Sequence, residues 1–126
     1  MTFVKADIMN SEFWENLKKG VKHNGEQLPR PDVIHASPPC KSLTRVASAN
    51  GHPDEDPGAQ LRLVLTRLKE LERHSENVLC KPLVWQVENV PESENHVADR
   101  TLAKGKLCGT MMGHYTFRHR VFYFNY

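Results

Sequence analysis

The sequence is poor in cysteine, nearly balanced in charge and without a long apolar run. Cys40, Cys80 and Cys108 are its three cysteines. An odd number of widely spaced thiols with no CxxC pair excludes a disulfide scaffold and reads as reduced, intracellular cysteine. A structural zinc site needs four nitrogen or sulfur ligands at short spacings. Cys108, His114 and His119 have no second ligand pair to join, so no metal is expected. Seventeen Lys and Arg against 15 Asp and Glu leave a formal charge of +2. That is too little for a general nucleic-acid coat protein, although it permits local contacts to phosphate. No stretch approaches the roughly 18–20 apolar residues of a membrane span, so no membrane is expected among the partners. The opening Met1-Thr2-Phe3-Val4-Lys5 begins no long apolar segment, which reads against a secretory signal. The expected location is intracellular: the cytoplasm of a bacterium or phage-infected host, or a eukaryotic nucleus.

What is present is enough for one core. A 39% hydrophobic and 25% charged composition is that of an ordinary globular chain, not a disordered one. A length of 126 residues predicts a single domain, 1–126. Residues 2–6 read as a short strand. Asn10 or Ser11 caps a helix running to about Lys19, with Phe13 and Leu17 on one face and Gly20 as its stop. Residues 20–31 and 48–58 are punctuated by Gly, Pro and Asn and read as loops. Residues 32–36 form a short apolar strand. Leu61, Val64, Leu65, Leu68 and Leu71 then make an apolar stripe at helical spacing. Residues 83–87 read as a buried strand, 91–105 are ambiguous, and 118–124 read as a strand ending in aromatics. Strands alternating with helices predict α/β layers around a parallel sheet. Ligands of such sheets sit at the carboxyl ends of the strands.

The two most unusual peptides fall at such ends. In Ser37-Pro38-Pro39-Cys40, consecutive prolines remove two backbone donors and fix φ twice. The resulting stiff turn holds the Cys40 side chain at a set angle, which suits a nucleophile. The competing reading is a small buried filler, the usual fate of a free cysteine. A phosphatase loop is rejected, because Cys40 and Arg45 have four residues between them, not five, and no glycine. Glu88 in Glu88-Asn89-Val90-Pro91 also ends a strand, where a carboxyl either handles a proton or pairs with an arginine. Arg118 and Arg120 share a strand face because side chains alternate. They serve either as an anchor for phosphate or a carbonyl oxygen, or as a solvated basic face.

Taken in order, these peptides resemble the DNA (cytosine-5) methyltransferase family. Asp32-Val33-Ile34-His35-Ala36-Ser37-Pro38-Pro39-Cys40 is similar to its strand and catalytic Pro-Cys loop. Trp85-Gln86-Val87-Glu88-Asn89-Val90 is similar to its Glu-Asn-Val motif. Leu107-Cys108-Gly109-Thr110-Met111-Met112-Gly113, followed by Phe117-Arg118-His119-Arg120-Val121-Phe122, is similar to the hairpin with paired arginines. The resemblance implies a partial class I, Rossmann-like three-layer fold with a C-terminal antiparallel strand or hairpin. It implies methyl transfer from S-adenosylmethionine to C5 of a flipped cytosine through a covalent Cys40 adduct. Glu88 would bond or protonate N3, and Arg120 with Arg118 would hold the base or backbone. Pro39, Lys41 and Asn89 would line the substrate pocket, and Asp7 and Pro38 would touch the cofactor. DNA is the implied partner.

The departures are as specific. No Phe-x-Gly-x-Gly stretch occurs in the sequence, so the glycine-rich cofactor loop and the ribose acid have no counterpart. Lys41 and Thr116 stand where the family usually has glutamine. A target-recognition region has no counterpart either. The expectation is therefore a catalytic fragment or subunit with an incomplete cofactor site, completed by a second chain or by self-association. The alternative is an inactive derivative that binds DNA or a partner.

Overall fold

The computed structural model describes residues 4–40, 43, 56–113, 115 and 118–126. Of the strand expected at 2–6, the described residues 4–6 form no strand. They lead into a turn. The Asp7 carboxylate accepts from Met9 N at 2.9 Å, and the Asp7 carbonyl accepts from Asn10 N at 3.0 Å. An aspartate that bonds its own following backbone diverts the chain from a ladder.

Helix α1 runs Ser11–Lys19, as its end signals predict. Asn10 Oδ1 accepts from Glu12 N at 2.9 Å. Gly20, at φ 66°, closes the far end by donating to the Asn16 and Leu17 carbonyls. Residues 20–31 hold more than a loop: β1 (Lys22–His23) pairs antiparallel with β2 (Glu26–Gln27). Asn24 at φ 50° and Gly25 at φ 84° supply the two left-handed residues that this tight turn requires. The expected loop at 48–58 lies mostly outside the described residues. From Gly58 the chain enters α2 (Ala59–Leu79), which buries Leu61, Val64, Leu65, Leu68 and Leu71 on one stripe.

The main sheet has the order β3 (Val33–Ala36), β4 (Val84–Asn89), β6 (His119–Phe124), β5 (Ala103–Cys108). β3 and β4 are parallel, with Val33 opposite Val84 and Ala36 opposite Val87. β6 lies antiparallel to both β4 and β5. The ambiguous residues 91–105 divide into a 3-10 helix, Pro91–His96, and the first half of β5. Pro91 starts the 3-10 turn, and that segment has neither helical nor alternating apolar spacing, so its periodicity is silent.

The fold is thus mixed α/β with a mixed sheet: β3 and β4 pair in parallel, as the alternation of strands and helices predicts, and the C-terminal β5 and β6 pair antiparallel, as expected of the C-terminal strand. Burial alternates along the strands: Trp85, Val87 and Asn89 of β4 and Val121 and Tyr123 of β6 face the core. They pack with the α2 stripe and with Trp14 of α1 in one cluster. Three layers were expected, but the described residues build two. Each helix has one apolar stripe, and both stripes are spent on the same core. Val84, Gln86, Glu88, Arg120, Phe122 and Phe124 occupy the opposite, half-exposed face. Among the described residues no helix is long and apolar enough to cross a membrane.

Candidate functional site

Parallel pairing sets the carboxyl ends of β3 and β4 side by side, so the Pro-Pro-Cys loop and the Glu88-Asn89 end meet. Asn89 is the link. Its Nδ2 donates to the Pro38 carbonyl at 3.3 Å, and its Oδ1 accepts from Val90 N at 2.8 Å. The sequence reading placed Asn89 with the substrate. Alternation turns it inward instead, away from Glu88, and its buried amide is spent on holding the loop.

Cys40 is pinned on both sides. Before it, Pro38 is buried and tied to Asn89. After it, the Cys40 carbonyl accepts from Leu43 N at 3.0 Å, and Leu43 is 6% exposed in the core cluster. Leu43 was passed over in the sequence, where its signal is a lone leucine in an otherwise polar stretch. The Cys40 thiol itself is half-buried against the core. Lys41, expected in the substrate pocket, lies outside the described residues.

Glu88 points to the open face. Its Oε1 accepts from Arg120 Nε at 2.9 Å, and Arg120 Nη1 donates to the His119 carbonyl at 2.7 Å. Glu88 stands opposite Phe122, so Arg120 is its diagonal neighbour across the strands, within reach of a long side chain. Both side chains keep about a quarter of their surface exposed, 27% and 22%. Arg118 is exposed, and its carbonyl extends the β5–β6 ladder by accepting from Gly109 N at 3.1 Å. The two arginines therefore divide: Arg120 is engaged with Glu88 and Arg118 is open to solvent.

The two cofactor candidates do not come together. Pro38 lines a groove of about 330 Å3 with Pro39, Ile8, Phe13, Leu17 and Ile34. Asp7 borders a different cavity, with Asn24 and Glu26, and its carboxylate is turned back onto Met9 N.

The other thiols lie elsewhere. Cys80 is exposed at the end of α2. Cys108 is buried, with Sγ 3.0 Å from Thr110 Oγ1. Hydrogen bonds from the Thr110 hydroxyl and then its backbone pull the Cys108 thiol below its usual range.

At one end of one sheet the structure thus holds a thiol turned toward the core and a carboxylate–guanidinium pair turned toward the open face. Taken singly, a thiol can serve as a nucleophile and a carboxyl beside a guanidinium can hold a proton. Comparison with family models, with curated proteins and with solved structures finds no match to the chain.

Proposed function

We propose that this chain is the cytosine-activating part of a DNA (cytosine-5) methyltransferase, acting on a cytosine turned out of the helix. The observation that carries the reading is the joint anchoring of the Cys40 loop and the Glu88–Arg120 pair at the ends of two parallel neighbours. A base inside a duplex is out of reach of a thiol, so the substrate is a flipped or single-stranded cytosine.

The Cys40 thiolate adds to C6, forming an S–C bond as the C5–C6 π pair moves into the ring. Glu88 sets a proton on N3 as Arg120 turns from the carboxylate to the base's O2. C5 is now electron-rich. It takes an electrophile, loses its original hydrogen as a proton, and expels the thiolate while N3 returns its proton to Glu88. This is nucleophilic catalysis assisted by a positioned acid. The donor that the family resemblance implies, S-adenosylmethionine, supplies a methyl group when bound. The described residues do not fit it: Asp7 and Pro38 face separate cavities, and the Asp7 carboxylate caps its own turn. The same misfit favours the second reading, a derivative that binds DNA or a partner without methylating.

The half-reaction on the base is testable without the donor, because water can supply the proton that C5 takes up. With single-stranded DNA tritiated at cytosine C5, the chain releases tritium to solvent. Cys40→Ser abolishes the release, and Glu88→Gln lowers it by about a hundredfold or more. Release that survives Cys40→Ser refutes the adduct. DNA binding with no release supports the second reading.

A further inference from the structure

Among the described residues, strand β3 pairs on one side only, with β4. Val84 N donates to the Asp32 carbonyl at 3.0 Å, so Asp32, Ile34 and Ala36 turn their backbone groups toward β4. Successive residues alternate sides, so the N–H and C=O groups of Val33, His35 and Ser37 point away from β4. Among the described residues no strand pairs with them. Proteins blunt such edges with short strands, lysine, proline, a bulge or a covering segment, and β3 is short, with prolines only at its flanks. Val33-Ile34-His35-Ala36 itself contains neither lysine nor proline, and Val33 is 70% exposed. Beside the edge, on the helix face, lies the groove of about 330 Å3 lined by Ile8, Phe13, Leu17, Ile34 and Ala36. Bare backbone donors and acceptors next to an apolar trough select an extended strand with apolar side chains on alternate positions.

The edge fits itself. In an antiparallel pairing about a two-fold axis, His35 falls opposite His35 of a second copy, and Val33 falls opposite Ser37. All three edge-facing residues then meet an edge-facing residue. Pro31 falls opposite Pro39, so residues without an N–H close both ends of the ladder. A shift by two residues brings one of these prolines into the ladder. On the helix face Ile34 meets Ala36 of the second copy, large beside small, over the trough.

We propose that two copies of this chain join through β3, antiparallel about His35, so that two four-stranded sheets become one. The pairing brings the second copy beside Pro39, next to Cys40, but it rests on the strand edge alone and not on the chemistry proposed for Cys40. Sedimentation velocity of the full chain across a wide concentration range shows a dimer. His35→Pro removes the central edge-facing N–H without touching the β4 ladder, and gives a monomer with an unchanged circular dichroism spectrum. Because that variant risks misfolding, a second one reports directly. Paired edge residues of this kind lie about 5.5 Å apart at Cα, within disulfide reach. His35→Cys therefore forms a covalent dimer under mild oxidation, whereas Gln86→Cys, one strand further in, does not. A chain that stays monomeric, a dimer without a cross-link at position 35, or a different chain seated on the edge overturns the proposal.

Discussion

Ser93 and Tyr123 form a polar contact inside the core. Ser93 is 0% exposed and Tyr123 1%, and their hydroxyl oxygens lie 2.7 Å apart. Burial holds the Tyr123 phenol above its usual range, against the opposing hydrogen bond with Ser93. The pair therefore stays neutral at any ordinary pH and shares one hydrogen bond. Tyr123→Phe leaves the Ser93 hydroxyl buried and alone, and should cost about 1–3 kcal/mol in urea unfolding. Adding Ser93→Ala to that variant should recover part of the loss, because removing both partners removes the unmet group. None of this is legible in the sequence, since the contact joins residues far apart in the chain. The placement of Cys40 after β3 and of Glu88 at the end of β4 was legible, because proline stiffness and a strand end are local signals. The inward turn of Asn89 follows from alternation along β4, which sends neighbouring Glu88 and Asn89 to opposite faces.

At the scale of the element, ends decided what could be read. α1 was legible from Asn10 to Gly20 because both caps are coded locally. The strands of β1 and β2 are two residues each, too short to carry a period, and only Asn24-Gly25 betrays them. The end of α2 breaks the usual rule. Its last cap is Cys80 at φ 51°, a conformation that favours glycine, with N–H donation to the Ser75 carbonyl. A left-handed residue with a side chain costs about 1–2 kcal/mol, and glycine returns part of that through a looser unfolded chain. Cys80→Gly should therefore stabilise the fold by about 0.5–1 kcal/mol in chemical denaturation. It should leave the proposed exchange at cytosine unchanged, since Cys80 lies exposed at the helix end.

For the whole molecule, helix stripes and strand order identified an α/β chain with a parallel β3–β4 pair, whereas the number of layers and the place of β6 between β4 and β5 were not legible. The first depends on both helix stripes sharing one core, the second on a long-range insertion, and no local pattern specifies either. Charges across the fold give a further handle. Glu94 of the 3-10 helix stands between two lysines of β5, with Lys104 at 2.8 Å and Lys106 at 2.7 Å. The Lys104 hydrogen bond, then that of Lys106, holds its carboxyl below the ordinary value of 4.5. A carboxyl depressed on folding stabilises above its unfolded value, and the stabilisation is lost as pH falls through the folded one. Urea midpoints should therefore drop as pH is lowered below about 4.5, with the Asp99–Lys69 pair contributing in the same direction. Glu94→Gln should make that drop shallower, and at neutral pH should cost about 1 kcal/mol or less, as for other surface pairs.

The place of β6 between β4 and β5 also sets an order of events during synthesis. Among the described residues β5 pairs with β6 alone, and β4 has the four residue pairs of β3 until β6 arrives. A nascent chain that has not yet reached His119 thus carries two strands with bare sides and an aqueous gap where Val121 and Tyr123 will sit. Closure of the core waits for a segment made after every other described strand. Until then part of the α2 stripe lacks its cover, and exposed apolar surface with unpaired strand sides is what makes a growing chain prone to aggregate.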